Sequence, residues 1–263
     1  MVGPNEAVVR AFGRRGEATR LPGGQGDAWL VDGAVLKRHG DAAEAVWVQE
    51  LASRLEPTGF RLPAPTRATD GSWVHDGWTA TEHLPGLVPA APDWDTVIAA
   101  GRAFAAAAAE VALEPGPALT ARTHCWAVAD RVAWGEEDVA LAPPAAALLA
   151  ALRPPTPPPH GPATIVHADL AGNVHVDGDG VPVVLDLSPY LRPARWGDAV
   201  VVADAVTWHE AGPGLALDFA DDPAGRDLLG RALAFRLVAE QLGEQAGDPA
   251  AIEPYERIAA LLT

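Results

Sequence analysis

Cysteine, methionine and lysine each occur once in this chain. Cys125 has no partner for an intramolecular disulfide, and neither a Cys-x-x-Cys pair nor a Cys/His cluster is present to build a structural zinc site. Any metal is therefore expected on oxygen ligands. No run of about 18 uncharged apolar residues occurs, so no ordinary membrane-spanning helix is expected. The first residues lack a basic stretch leading into an apolar segment and a small-residue cleavage site, and the expected location is the cytoplasm. Basic side chains are scarce as a class: 19 Lys plus Arg stand against 35 Asp plus Glu, for a net charge of −16. That balance repels nucleic-acid phosphates and anionic lipid, so neither nucleic acid nor membrane is expected as a partner.

What is present is enough apolar material for a large core: 263 residues, 49% of them hydrophobic, read as one globular unit or two closely packed lobes. The acidity is uneven. Residues 1–86 carry 9 basic and 11 acidic side chains, whereas residues 87–263 carry 10 and 24. A wetted acidic surface is the plain reading of that excess, and a match for a cationic substrate is the other. Lys37 is the only lysine beside 18 arginines. An ammonium is a compact point charge that the planar guanidinium fork does not reproduce, so a lysine surviving in an arginine-biased chain invites a chemical role.

Along the chain, Gly23-Gly24-Gln25-Gly26 forms a side-chain-poor turn, followed by strand-like Ala28 to Val31, an Asp32-Gly33 hairpin turn and strand-like Ala34 to Lys37. Residues 41–55 show apolar Val46, Trp47, Leu51 and Leu55 at helical spacing behind a capping Asp41. Residues 60–67 and 72–84 read as strands, and Pro and Gly at 85–92 mark a boundary before an Ala-rich helix from Asp95 to Ala112. Beyond the Pro-rich stretch 153–162 come a short strand at Ala163 to Val166 and a hairpin made of Val174 to Val176 and Val181 to Leu185. Helices are expected around 198–209, 223–243 and 249–262. The fold class is α+β: residues 1–86 an antiparallel sheet with one helix, residues 87–263 mainly helical with a short hairpin.

Four features follow one another in order: the Gly-rich turn, Lys37 on the next strand, a carboxylate on the following helix, and the cluster His167-Ala168-Asp169-Leu170-Ala171-Gly172-Asn173 with Leu185-Asp186-Leu187 beyond the hairpin. Each alone is weak, since a Gly-rich turn is usually only a turn and His-x-Asp is a common chance pair. Together they meet the needs of phosphoryl transfer, which asks for positioning and charge compensation rather than covalent chemistry. Backbone N–H groups of the turn can approach phosphates, and Lys37 can neutralise their charge. Asp169 can orient and deprotonate an attacking hydroxyl, while Asn173 and Asp186 offer hard oxygen ligands for Mg²⁺.

Those residues resemble the aminoglycoside phosphotransferase and choline-kinase-like enzymes, which share a two-lobed protein-kinase-like fold; the resemblance runs over nearly the whole chain. The family's H-G-D-x-x-x-x-N motif is similar to the run from His167 to Asn173, and its I-D-F to Leu185-Asp186-Leu187. The stretches GFRLPAP, DGWTA and VVVADA are similar to a group of actinobacterial proteins within that class. The resemblance implies a kinase that moves the γ-phosphoryl of ATP or GTP, with Mg²⁺, onto the hydroxyl of a small molecule. It implies Asp169 as catalytic base, His167 as the histidine bracing the catalytic loop, Asn173 and Asp186 as metal ligands and Lys37 as the phosphate-binding lysine. The lysine's helix partner would be Glu44, with Glu50 as the alternative, and Glu82, His83 and Leu84 would form the hinge against the base. Asp198 would support the active-site loops.

The motif departs from the family in two places. Asn173 stands four residues after Asp169 rather than five, and Ala171 occupies a position where the family usually carries a basic or histidine residue. A nucleotide-binding protein without catalysis is the alternative that those departures raise. Other candidates read as ordinary structure. His209-Glu210 lacks a second histidine at zincin spacing, Trp73, Trp78, Trp126, Trp134 and Trp196 suit a core, and Asp130, Glu136, Glu137 and Asp138 suit a solvated helix face.

Overall fold

The computed structural model describes residues 2–22, 28–153, 160–243 and 249–262. The Gly-rich turn at Gly23, Gly24, Gln25 and Gly26 lies outside them. After helix α1 (Glu6–Ala11) the chain lays down β1 (Thr19–Arg20), β2 (Ala28–Val31), β3 (Ala34–Arg38), helix α2 (Ala42–Arg54), β4 (Pro65–Thr66) and β5 (Trp78–Glu82). These strands make one antiparallel sheet in the order β1-β2-β3-β5-β4. The β2–β3 hairpin closes on Asp32-Gly33 with Val31 paired to Ala34 and φ of 47° and 72°, the left-handed pair that a two-residue primed turn requires. The buried side of the sheet, Leu36, Ala34, Ala80 and Trp78, packs on Val8 and Val9 of α1, a second helix that periodicity did not reveal, and on Phe12 just beyond it.

Helix α2 starts where expected, because Asp41 accepts hydrogen bonds from the N–H groups of Ala43 (2.8 Å) and Glu44 (3.1 Å). Its apolar stripe, however, does not serve the sheet. Trp47, Leu51 and Leu55 join Phe60, Val97, Phe104 and Val184 in a core that belongs mainly to the second part of the chain. The strand expected over 60–67 is cut short for the same reason. Arg61 exchanges backbone hydrogen bonds with Pro182 (2.8 Å) and Val184 (2.9 Å), leaving only β4 for the sheet. The strand expected over 72–84 shrinks to β5, since Asp76-Gly77 turns the chain at φ of 49° and 76° just before Trp78.

The boundary at 85–92 contains a short strand, β6 (Val88–Pro89), which is followed by α3 (Trp94–Ala109), α4 (Gly116–Thr120), α5 (Cys125–Ala133) and α6 (Pro143–Leu152). Then come β7 (Ala163–His167), β8 (Val174–Val176), β9 (Pro182–Val184), β10 (Pro189–Pro193), α7 (Ala194–Trp208), α8 (Pro213–Phe219) and α9 (Pro223–Leu242). The helix expected at 249–262 is a 3-10 turn, Pro249–Ile252, leading into α10 (Glu253–Ala259). Strand β6 pairs with β8 and β8 with β9, while β10 returns antiparallel to β7. Helix α3 packs on both β7 and α7. At Gly101 of α3 an added Cβ would stand 2.5 Å from Leu170 Cδ1, so the absence of a side chain there lets the loop after β7 sit against the helix. No helix among the described residues is long and apolar enough to cross a membrane.

Candidate active site

Strand β7 ends at His167, and the loop from Ala168 to Asn173 lies between it and β8. His167 is buried, with its ring edge on Phe104 at 5.7 Å between centroids. Its Nδ1 accepts the Asp169 N–H at 3.1 Å, and its Nε2 edge faces the backbone of Leu185, Asp186 and Ser188. Burial pushes the imidazole below its ordinary pKa, outweighing the nearby charges of Asp169 and Asp186. Burial thereby favours the neutral ring, which meets the loop at the Asp169 N–H.

Asp169 presents a carboxylate that is 49% exposed. Asn173 Nδ2 donates to its Oδ2 at 3.0 Å and to its backbone oxygen at 2.7 Å, closing the shortened loop on itself. Arg236 Nη2, arriving from α9, donates to Oδ1 at 3.2 Å. Across the hairpin, the Leu185 N–H donates to the Asn173 carbonyl at 2.8 Å, which brings Asp186 beside the loop. Asp186 itself sits at φ 46°, a left-handed conformation that costs a non-glycine residue on the order of 1–2 kcal/mol. Its Oδ1 is ion-paired to Lys37 Nζ, so β3 and the hairpin exit meet at these two side chains.

The donor set fits a hard divalent cation. Both Asn173 contacts use its amide nitrogen, so the amide oxygen is left without a described protein partner, and Asp186 adds a half-exposed carboxylate. No group of three or more His, Cys, Asp or Glu side chains suited to a metal occurs among the described residues. A cation here would thus be completed by ligand oxygens, as Mg²⁺ usually is at phosphates.

The structure departs from the sequence reading at the helix carboxylate. Glu44 does not reach Lys37: its Oε1 accepts from Arg122 Nη1 at 2.8 Å, and His124 Nε2 lies 3.5 Å from Oε2. The α2 register turns Glu44 toward the segment between α4 and α5. Burial pushes its carboxyl up, and the hydrogen bonds from His124 and Arg122 outweigh that and hold it below the usual range. Glu50 is also engaged elsewhere, with Arg54 at 2.6 Å and Trp73 Nε1 at 2.7 Å.

At the expected hinge, Glu82 ends β5 and donates its N–H to the Ala64 carbonyl at 2.8 Å, and the His83 N–H donates to the Gly33 carbonyl at 3.0 Å. The Leu84 N–H makes no hydrogen bond to a described backbone group. Asp198 on α7 is buried and accepts from Arg102 Nε at 2.9 Å, tying α7 to α3 behind the loop; burial raises its carboxyl despite that partner. Two side chains of this site were not anticipated, Arg122 and Arg236. The only sequence signal for Arg236 is a lone cation inside the apolar run Ala232-Leu233-Ala234-Phe235 and Leu237-Val238-Ala239.

An antiparallel sheet carrying a lysine, joined to a helical part carrying an Asp/Asn loop and a hairpin aspartate, defines the two-lobed protein-kinase-like class of phosphotransferase. The chain belongs to the phosphotransferase enzyme family, whose model matches residues 17–247, and is by that membership a small-molecule kinase. Among solved structures it is similar to aminoglycoside phosphotransferase APH(4)-Ia at 14% identity, with a TM-score of 0.60 and 97% of each chain covered. Amicoumacin kinase in complex with AMP-PNP and Ca²⁺ aligns at 11% identity and TM-score 0.58, covering 93% of this chain and 87% of that one. A choline/ethanolamine kinase family protein from Mesorhizobium loti gives 17% identity and TM-score 0.51, covering 95% and 89%. These likenesses show the fold. None of the curated proteins matches.

Proposed function

We propose that this protein transfers the γ-phosphoryl group of ATP or GTP, with Mg²⁺, to a hydroxyl of a small molecule. The observation that carries the reading is the convergence of Lys37, Asp169, Asn173 and Asp186 from three separate segments, within a chain of the phosphotransferase family. Residues 1–86 form the nucleotide lobe and residues 87–263 the acceptor lobe. The base lies against Glu82, His83 and Leu84, and since the His83 N–H is already taken by Gly33, the Leu84 N–H is the donor that meets it. Gly23, Gly24, Gln25 and Gly26 supply backbone donors to the phosphates.

Asp169 takes the acceptor's hydroxyl proton as the new O–P bond forms and the bond from the γ-phosphorus to the bridging oxygen breaks, releasing the nucleoside diphosphate. Lys37, now ion-paired to Asp186, would balance charge on the phosphate oxygens. Asn173 and Asp186 would hold Mg²⁺, which when bound would neutralise phosphate charge. The excess of acidic residues in the acceptor lobe favours a cationic acceptor, such as an amino sugar or amino alcohol. The four-residue step from Asp169 to Asn173 favours a second reading, a nucleotide-binding pseudokinase, which predicts binding without transfer.

The test is a phosphate-transfer screen with ATP and GTP against amino sugars, amino alcohols, nucleosides and other polyols. Turnover of one of these with Mg²⁺ supports the enzyme. Nucleotide binding with no turnover of any acceptor or of water supports the pseudokinase, and a melting temperature indifferent to millimolar Mg²⁺-nucleotide removes both.

A further inference from the structure

Arg236 lies in the middle of α9, and its side chain is 2% exposed. Its Nε and Nη2 donate to the two oxygens of Asp204 on α7, each at 2.6 Å. The same Nη2 reaches the Ala168 carbonyl at 3.1 Å and Asp169 Oδ1 at 3.2 Å. Two hydrogens thus face three acceptors, and one of them is shared between the loop's backbone and the Asp169 carboxylate. Trp126, Trp208 and Phe235 close around the guanidinium with centroids 5.2, 5.2 and 4.9 Å away, so its faces are filled and its plane is fixed.

A buried ion pair is seldom the cheapest way to stabilise a core, because well-packed apolar residues of similar volume commonly do as well or better. Here burial opposes the guanidinium charge, and Asp204 and Asp169 outweigh it to keep the group above its already high range. What an apolar side chain could not do at this position is grip the loop. Asp169 Oδ2 is already held by Asn173, so the Arg236 contact at Oδ1 completes a two-point hold on the carboxylate. The catalytic loop provides no cation of its own at Ala171. Helix α9 delivers one from behind.

We propose that Arg236, oriented by Asp204, is a positioning residue that fixes the Asp169 carboxylate and the adjoining loop backbone for proton acceptance from the acceptor hydroxyl. The proposal rests on Asp169 being the catalytic base. Removing the grip acts on the rate of transfer through Asp169 and leaves nucleotide affinity nearly untouched, because Arg236 is buried and touches none of the groups assigned to nucleotide.

The experiment compares Arg236→Lys, which keeps the charge but loses the fork, with the charge-neutral pair Asp204→Leu/Arg236→Met, which avoids stranding a buried carboxylate. Each is measured for melting temperature, calorimetric affinity for Mg²⁺·AMP-PNP, and ADP release from ATP with water as the acceptor. The double variant is expected to fold, to bind AMP-PNP within about threefold of wild type, and to lose about 10- to 100-fold in kcat with KM for ATP little changed. Arg236→Lys should recover part of that rate. In an Asp169→Asn background the pair should cost nothing further, since it acts through Asp169. Wild-type turnover in the folded double variant overturns the proposal, as does an undiminished loss in the Asp169→Asn background. If the double variant fails to fold, wild-type kcat in Arg236→Lys overturns it instead. Should the wild type release no ADP with water or with any acceptor of the screen, the catalytic reading falls by itself. A crystal structure of the double variant, or of Arg236→Lys where the pair does not fold, then decides for Arg236: a displaced Asp169 carboxylate supports the grip and an unmoved one removes it.

Discussion

Glu44 on α2 and Arg122, 78 positions later, are joined by a 2.8 Å ion pair, with the Arg122 guanidinium stacked over Tyr190 at 4.3 Å. The pair ties the one helix between the sheet strands to the helical part of the molecule. Glu44→Gln keeps the shape and removes the charge, leaving a buried arginine with a weaker acceptor. The expected cost is about 1–3 kcal/mol, read as a melting temperature several degrees lower with unchanged Mg²⁺-nucleotide affinity. A variant that melts like wild type but binds nucleotide poorly would mean instead that Glu44 serves Lys37.

Lys37→Ala should weaken the thermal stabilisation by Mg²⁺·ATP or Mg²⁺·GTP, because the ammonium beside Asp186 is then missing. Arginine at this position is expected to restore little, since its fork does not fit where an ammonium meets Asp186. Calorimetric titration of the two variants side by side checks both statements.

Asp169→Asn and Asp186→Asn should differ in kind. The first removes the proposed base and is expected to reduce transfer by roughly 10²- to 10⁴-fold, about 3–5 kcal/mol of barrier, while nucleotide binding survives. The second removes a charged group of the proposed metal site, so Mg²⁺-dependent binding and rate are expected to fall together. Steady-state kinetics with binding isotherms separate the two patterns, and full turnover in Asp169→Asn would move the chemistry to another residue.

The contribution of His167 to folding stability should decline as pH drops below about 6.5, the ordinary histidine value. His167 is held neutral by burial, so in that window the unfolded chain binds a proton that the folded chain refuses, and acid favours unfolding. Glu44 adds to the fall only below about 4.5, where its folded carboxylate still resists protonation. Denaturant titrations between pH 5 and 7 read the first slope, and an imidazole resonance of His167 that titrates at the ordinary value would refute its cause.

Much of the site was legible because it is local. His167, Asp169, Asn173 and Asp186 fall within one loop and one hairpin, and the hairpin turn forces them together. Lys37 stood out by its rarity, and the Asp32-Gly33 turn fixed its strand. Long-range partners were not legible. Register put Glu44 on the right helix, yet nothing in its neighbourhood announces a buried arginine 78 positions away, and Arg236 resembles the other arginines of α9 until the helix is packed. Strand β10 hid behind the prolines at its ends, Pro189 and Pro193, and α1 was too short for periodicity to register. Arg61 looked like strand, yet it makes only an isolated parallel bridge to Val183 of β9 and does not join the sheet expected.

The contact between Lys37 and Asp186 makes the single lysine an internal reporter. Apart from the backbone amine at the start of the chain, no other primary amine competes for an acylating or amidinating reagent. Lys37 is 34% exposed, so such a reagent has access to it. An adduct mapped to the peptide that carries Lys37, and so told apart from one on the backbone amine, therefore reads out one chemical event beside the proposed phosphate site. Protection of that adduct by nucleotide, titrated against concentration, would measure occupancy without a dye, a tag or any knowledge of the acceptor.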